Sequence, residues 1–596
     1  MGLALGPSTE LSVERERKMT KSKITPPLMI KTKNYDFDAI VVGSGMSGGY
    51  AAKEFCEKGY KTLVLDRGKP IEHGNYETEF KAPWDMEFRG QMHRDEIKEK
   101  YFIQNKGHGV SDYSKHHFID DKENPYIQEK SYLWTRSSKV GGKSVIWGRQ
   151  SYRWSKLDFE ANNRDGHGID WPIRYDDLAP WYDHVEPFIG ISGSYENLDE
   201  LPDGKFLPAL PMNVAERQVK TSIEANFPGR KVIPARVAHL TEPQPIHIAL
   251  GRGQCQSRSE CERGCSWGGY YSSVSGSLPA AKRTGNLTLT ANAQVQEVLY
   301  DSKTGKAAGV RYVDTVSGET TTVTARVIFM CASTLGTLQI LMNSTSDKYP
   351  SGIGNTSGVL GHYIMDHIEG AGARGTVPGH LDSYYKGRKP GGIYIPRFKN
   401  IKEQQGDYLR GFGYQGGASR ATRINAGRAK QAGIGKSFKE ENRIPGNWQF
   451  VIWSFGEVLP DFDNHISLHA SKKDQWGMPL LVTSVEYGKN EEKMKMDMMD
   501  SAVEMLKAAG LKNVKGYNKA MPPGRSIHEM GGACMGHDPK TSYLNQWNQS
   551  HEVSNLFVTD GAAFSSVSCV NPSITFMALT ARAVDYADQQ LKADVI

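Results

Sequence analysis

Long apolar runs are scarce in this sequence. The first 34 residues carry charges and prolines but no apolar stretch of the length a secretory signal needs. They read as a mobile N-terminal arm, and Met19 would serve equally well as a start. Two uncharged runs, Val327–Ser346 and Gly561–Ala581, approach membrane-spanning length. Ser333, Thr334, Thr337 and Gln339 interrupt the first and Asn571-Pro572 the second, so both read as buried strand-to-helix segments and no transmembrane span is expected. Charge of one sign is scarce too. Lys and Arg number 73 against 67 Asp and Glu, a net +6 over 596 residues, which gives no basis for a nucleic-acid partner. Seven cysteines in a chain of this length exclude a disulfide scaffold. Internal repeats and low-complexity tracts are missing.

What is present begins with glycine, 62 residues, which points to many tight turns and close backbone approaches. The length allows more than one domain. Phe37 to Val42 reads as a strand, Ala51 to Lys58 as a helix and Lys61 to Leu65 as a second strand, a β-α-β unit. Between the first strand and the helix lies Gly43-Ser44-Gly45-Met46-Ser47-Gly48, which fits G-x-G-x-x-G. The first glycine permits the turn, the second lets a pyrophosphate approach the backbone and the third lets the helix pack on the strand. Free N–H groups at the helix start then face the phosphates. Asp66 follows the second strand, where an acid can bind a ribose hydroxyl. The motif by itself does not separate FAD from NAD.

Residues 75–130 lack periodicity and read as long covering loops. Asn286–Thr290, Val295–Leu299, Val310–Val313 and Thr320–Ile328 read as strands, with a helix from about Ser333. Residues 360–485 are rich in aromatic and β-branched stretches and suggest a mainly β second domain. Its aromatics include Tyr384, Tyr385, Trp448 and Trp453, the two tryptophans being read as core packing. Glu491–Ala509 and Ile574–Lys592 read as helices.

Three cysteines fall within eleven residues: Cys255, Cys261 and Cys265, spaced Cys-x5-Cys-x3-Cys. Thiolates so spaced converge readily on one metal centre, and iron–sulfur clusters are the usual thiolate-held redox centres. Three ligands fit a [3Fe-4S] cluster, whereas zinc wants a fourth ligand and the segment has no His. The alternatives are three unrelated buried thiols, or one disulfide with a spare. Cys56, Cys331, Cys534 and Cys569 stand in apolar context and read as core.

Several further segments resemble the glucose-methanol-choline oxidoreductase family. Val140-Gly141-Gly142-Lys143-Ser144-Val145-Ile146-Trp147-Gly148 is similar to its flavin-ring loop, and Glu457 to Asn464 with Ile466-Ser467-Leu468 to its second-domain strand and turn. His528-Glu529-Met530-Gly531-Gly532, Asn555 to Gly561 and Asn571-Pro572-Ser573-Ile574-Thr575 follow in the family's order across residues 36–590. The resemblance implies an α/β plus β fold. A Rossmann-like FAD-binding domain takes residues 35–160, 251–358 and 515–596. Inserted into it is a substrate-binding domain on a mainly antiparallel sheet, residues 161–250 and 359–514. It also implies FAD contacts from Gly43, Gly45, Met46, Ser47, Gly48, Asp66, Arg67, Gly141, Gly142, Ser144, Val295, Asp560, Gly561, Asn571, Pro572 and Ser573. Some members hold the flavin covalently on a histidine where this chain has Ile146, so FAD is expected to be non-covalent. His528 is implied as the base that takes a hydroxyl proton and Asn571 as the partner that holds the same oxygen.

The cysteine spacing is similar to that of the family's iron–sulfur branch. That likeness implies a dehydrogenase passing electrons to a cytochrome c-type acceptor, with a small accessory subunit. It points to a sugar or glucoside substrate oxidised at C3. The alternatives are C1 oxidation of glucose, a non-catalytic flavin subunit, and an NAD-dependent dehydrogenase. The branch implies the bacterial periplasm, reached with a signal-bearing partner, or the cytoplasm.

Overall fold

Residues Ala39 to Val42 are buried on both faces, as the middle strand of a parallel sheet requires. The computed structural model describes residues 35–383, 390–420, 435–436, 439 and 446–596. The expected N-terminal arm, and Tyr384 and Tyr385, lie outside the described residues. The strand Phe37–Val42 leads into the helix Met46–Glu57 and then the strand Thr62–Leu65. Among the described residues these belong to a seven-stranded sheet. Its order is Leu287–Thr290, Thr62–Leu65, Phe37–Val42, Thr320–Met330, Lys306–Asp314, Ala293–Asp301, and Leu556–Val558 also pairs with Thr320–Met330. Thr320–Met330 pairs in parallel with Phe37–Val42 and Leu556–Val558, and antiparallel with Lys306–Asp314.

A second, antiparallel sheet runs in the order Lys512–Asn518, Ala371–Val377, Trp448–Gly456, Phe412–Arg420, Ile393–Ile395, Ile233–Pro234. The expected domain boundary at residue 515 falls inside its edge strand Lys512–Asn518. The helix Tyr175–Ile189, whose residues were expected in the substrate-binding domain, packs on Ser573–Lys592, with Tyr182 and Thr575 hydroxyls 2.8 Å apart. Asp36–Ile596 form one compact unit. An aromatic cluster of Trp154, Phe159, Trp171 and Phe564 fastens the closing segment from within. The Trp171 indole finds its acceptor in Ser566 Oγ at 2.7 Å. No described helix is long and apolar enough to cross a membrane. Val327–Ser346 and Gly561–Ala581 run into the helices Thr334–Asn343 and Ser573–Lys592, as expected.

Candidate active site

A cavity of about 750 Å³ opens at the carboxyl ends of Phe37–Val42 and Thr320–Met330. Ligands of open α/β sheets bind at such ends. The glycine loop forms one end of it. Gly43 has φ +95°, and a Cβ there would lie 2.3 Å from the Cys331 carbonyl oxygen. A Cβ on Gly48 would lie 1.9 Å from the Gly43 carbonyl oxygen, so this glycine serves helix packing. A Cβ on Gly45 would meet only the Gly141 carbonyl oxygen, at 3.9 Å, so the protein's own packing does not demand glycine there. The free space over Gly45 suits a ligand that comes close to the backbone. No side chain caps the N-terminus of the helix Met46–Glu57, which leaves its first N–H groups for an anion. These features fit the pyrophosphate of FAD.

Gly43, Gly45, Met46, Ser47, Asp66 and Arg67 all line the cavity, while Gly48 stands behind them. Asp66 also organises the loop. Its carboxylate accepts from Ser44 N at 2.9 Å, Ser44 Oγ at 2.5 Å and Gly68 N at 2.7 Å. Burial raises its pKa against these bonds. Arg67 reaches Asn124 and lies over the Trp476 ring.

Gly142, Ser144, Ile146 and Val295 line the cavity next. Gly141 (φ +89°) donates to Ser44 Oγ at 2.8 Å and so ties this loop to the first. Asp560 and Gly561 line the same space. Asp560 accepts from Thr337 Oγ1 at 2.5 Å and Ala562 N at 3.0 Å, and burial lifts its carboxyl to about 6. Asn571 and Ser573 line it too, at the start of the helix Ser573–Lys592, with Pro572 at the helix cap.

The residues expected to carry the chemistry line the same cavity. His528 Nε2 lies 3.0 Å from Asn571 Nδ2, although the two are 43 positions apart in the chain. Burial, then the neighbouring His367, Lys143 and His108, hold the His528 imidazole well below its usual range, so it is neutral. A neutral imidazole with one free nitrogen lone pair beside an amide is equipped to take a proton from an alcohol and hold its oxygen.

Three supporting residues, His367, Gln415 and Asp366, carry no sequence motif. His367 Nδ1 lies 2.7 Å from His528 Nδ1. Gln415 Nε2 donates to Asn571 Oδ1 at 2.7 Å. Asp366 accepts from His528 N at 3.0 Å and from Ser526 N at 3.2 Å and Ser526 Oγ, and burial lifts its carboxyl to about 7. These bonds hold Ile527 at φ 65°, a strained conformation for a β-branched residue. Glu529 pairs with Lys143 at 2.6 Å. The only signal available was the polar Asp366-His367 pair inside the apolar run Ile364 to Ile368.

The second sheet supplies the opposite wall. Val451, Trp453 and Phe455 alternate along one strand and face the cavity. Trp448, on the other face, is core as expected. Trp453 is not: its place in the alternation turns it to the cavity, where it stands opposite Gln415 across the ladder.

The expected convergence of Cys255, Cys261 and Cys265 is not borne out as a preformed ligand set. Among the described residues no group of three or more His, Cys, Asp or Glu side chains is placed to hold a metal ion. The three thiols are free and half-buried, and the other four cysteines are buried. The environment has an anion-seeking character nonetheless. Arg149 donates to the Cys261 carbonyl oxygen at 2.8 Å. Arg252 is fully buried, and among the described residues neither guanidinium has a carboxylate partner. His239 Nε2 lies 3.8 Å from Cys261 Sγ, and its Nδ1 is buried without a hydrogen-bond partner. Glu262, between the second and third thiols, lines the main cavity.

A dinucleotide cradle and a neutral imidazole–amide pair on one cavity define a flavin-type oxidoreductase of CH–OH groups. The chain belongs to the GMC oxidoreductase family, whose N-terminal profile matches residues 37–369 and C-terminal profile residues 460–580. It is 28% identical over 576 residues to a 2-methyl-1,2-propanediol dehydrogenase of Mycolicibacterium austroafricanum, covering 94% of this chain and 96% of that one. It is 25% identical to the fructose dehydrogenase large subunit of Gluconobacter japonicus, with 93% and 98% coverage. The crystal structure of pyridoxine 4-oxidase from Mesorbium loti shares the fold, with a TM-score of 0.56 at 13% identity over 92% of this chain and 98% of that one.

Proposed function

We propose that the protein is an FAD-dependent sugar dehydrogenase that oxidises the C3 hydroxyl of glucosides or disaccharides to a ketone and passes the electrons to an acceptor other than oxygen. The observation that carries it is the 3.0 Å pairing of His528 with Asn571 on the cavity that also holds the dinucleotide loop. FAD, when bound, supplies the hydride acceptor. The cavity residues named for the glycine loop, Val295 and Asp560–Ser573 would hold it, and Ile146 offers no imidazole for a covalent link. His528 Nε2 takes the hydroxyl proton. Asn571 Nδ2 donates to the same oxygen and fixes the C–H direction, while Trp453 and Phe455 keep water from that wall.

A sugar substrate draws support from the fructose dehydrogenase and diol dehydrogenase relatives, and from polar Gln150 and Gln415 beside aromatic Trp453. C1 oxidation of glucose is the second reading on the same geometry. A flavin subunit without alcohol chemistry is disfavoured by the His528–Asn571 pair, and an NAD enzyme by the family.

The finer electron route, a [3Fe-4S] cluster on Cys255, Cys261 and Cys265, draws support from the carboxylate-free arginines and from His239 beside their shared segment. It draws none from a preformed ligand set. A relative named as a large subunit supports a partner subunit. A cytochrome c-type acceptor, and a place in the bacterial periplasm reached with such a partner or else in the cytoplasm, rest on the likeness of the cysteine spacing to the family's iron–sulfur branch alone. The test is product analysis. Methyl glucoside and trehalose, which have no free anomeric hydroxyl, should yield 3-keto products; turnover of free glucose alone, to the lactone, sinks the C3 assignment.

A further inference from the structure

The contact between His367 and His528 has a direction that the hydrogen bonds settle. His367 Nε2 faces the carbonyl oxygen of Ser568, which can only accept, so Nε2 carries the hydrogen. His367 is fully buried and neutral, burial holding it down to about 4, so its Nδ1 bears a lone pair and accepts. The His528 nitrogen 2.7 Å away must then be Nδ1–H, donating. That leaves Nε2 of His528 unprotonated, on the side facing Asn571 and the cavity. Gln415 agrees from the other end: its amide donates to Asn571 Oδ1, which turns the Asn571 N–H toward His528 Nε2.

The backbone holds this chain of bonds in place. Met365 and Met530 exchange N–H···O bonds of 2.8 and 2.9 Å, which brings Asp366-His367 alongside Ser526–His528. Ile368 and Gly456 form the next bridge, joining His367 to the cavity sheet. The Tyr487 hydroxyl donates to the His367 carbonyl oxygen at 3.0 Å.

We propose that His367 is a positioning residue that fixes His528 in the Nδ1–H tautomer, so that the Nε2 lone pair is the one presented to the substrate hydroxyl. The proposal rests on the alcohol-oxidation reading above. In the step, the substrate O–H proton moves to His528 Nε2, and the imidazolium so formed keeps its Nδ1–H bond to His367. FAD, when bound, would supply the acceptor for the hydride, taking the two electrons that the substrate carbon gives up. The charged and titratable groups facing the two imidazoles are Asp366, Glu369, Glu529, Lys143 and His108. Their common influence on the rate is why variants must be compared across pH.

Three substitutions separate tautomer control from mere packing. His367→Asn keeps an acceptor where Nδ1 stands. His367→Gln keeps a donor toward Ser568 but no acceptor toward His528. His367→Leu keeps neither. The rate of flavin reduction by methyl glucoside is followed without oxygen from pH 5 to 9. The Asn variant is expected within about tenfold of the parent, with Gln and Leu slower by about a hundredfold or more. Gln equal to or faster than Asn, Asn as slow as Leu, or all three within about threefold of the parent would overturn the proposal. The ¹⁵N spectrum of the His528 ring, assigned with His528→Gln, gives a readout that needs no turnover. An unprotonated Nε2 is expected in the parent and in His367→Asn, and a protonated Nε2 in the parent overturns the proposal. If the parent reduces no flavin with any alcohol, the function reading fails while the spectrum still decides the tautomer.

Discussion

Gln415 donates to Asn571 at 2.7 Å and thereby aims the Asn571 amide N–H at His528. Gln415 belongs to the antiparallel sheet, and Asn571 precedes the closing helix of the dinucleotide-binding part. The reactive pair is thus oriented from both halves of the fold. Gln415→Leu should lower the rate of flavin reduction about tenfold and leave the flavin bound, whereas Asn571→Ala should lower it about a hundredfold or more. Stopped-flow absorbance with a saturating glucoside checks both.

The depressed basicity of His528 has a consequence for pH. A base works above its pKa, and this imidazole is held well below the usual histidine range, chiefly by burial. Flavin reduction should stay flat as pH falls through 6.5, where an ordinary histidine would lose half its activity, and fall only in more acid solution. A midpoint at 6.5 or above in the reductive rate would contradict the environment described.

Stability has its own pH signature. His367 is held down to about 4 in the fold, so between 4 and 6.5 the unfolded chain binds more protons there and stability declines as pH falls through that window. Asp366 works oppositely. Its folded carboxyl is raised to about 7, so the fold holds that proton more tightly and loses stability as pH rises toward 7. The two slopes oppose one another over nearly the same window, so between about pH 4 and 6.5 His367→Leu should make unfolding free energy fall more with rising pH than in the parent, and Asp366→Asn should make it rise more, as chemical denaturation across pH measures.

The glycine loop makes a steric prediction. A methyl at position 48 meets the Gly43 carbonyl oxygen at 1.9 Å, and one at position 45 meets nothing nearer than 3.9 Å. Gly48→Ala should prevent stable folding of the first β-α-β unit. Gly45→Ala should give folded protein that binds FAD weakly. Thermal unfolding together with flavin content per chain separates the two outcomes; equal behaviour of the two variants would contradict the division of labour.

Away from the site, Arg397 donates to Glu457 at 2.6 Å, both side chains being fully buried. Arg397→Met leaves a buried carboxylate without its counter-charge and should cost about 3–5 kcal/mol of stability. Arg397→Met with Glu457→Leu should recover much of it, which a double-mutant cycle by denaturant unfolding measures.

Much of this was legible in the sequence where local chemistry and final environment agree. The strand before Gly43, the helices Lys489–Ala508 and Ser573–Lys592, and the His528–Asn571 pair all follow from period, glycine spacing or family motif. The helix Tyr175–Ile189 was missed because Pro180 and Pro187 lie inside it. The strand Phe412–Arg420 falls in the region read as mainly β but was not singled out, and its Gly416-Gly417 pair weakens the local strand signal. A Cβ on Gly416 would lie 2.3 Å from the Val451 carbonyl oxygen, so glycine is what lets that strand close up on its neighbour. His367 carries no motif; its meeting with His528, 161 positions away in the chain, is made by the Met365–Met530 bridge. The cysteine spacing suggested convergence, but spacing along a loop does not by itself set the directions of three side chains.

The most direct measurement is anaerobic mixing of the purified protein with methyl glucoside, following the flavin absorbance for the parent and for His528→Gln. The parent should carry a yellow cofactor that bleaches on mixing and leave a 3-keto sugar, while the variant keeps the cofactor and stays yellow. A colourless parent, or a variant that bleaches as fast as the parent, would contradict an alcohol oxidised between His528 and a flavin.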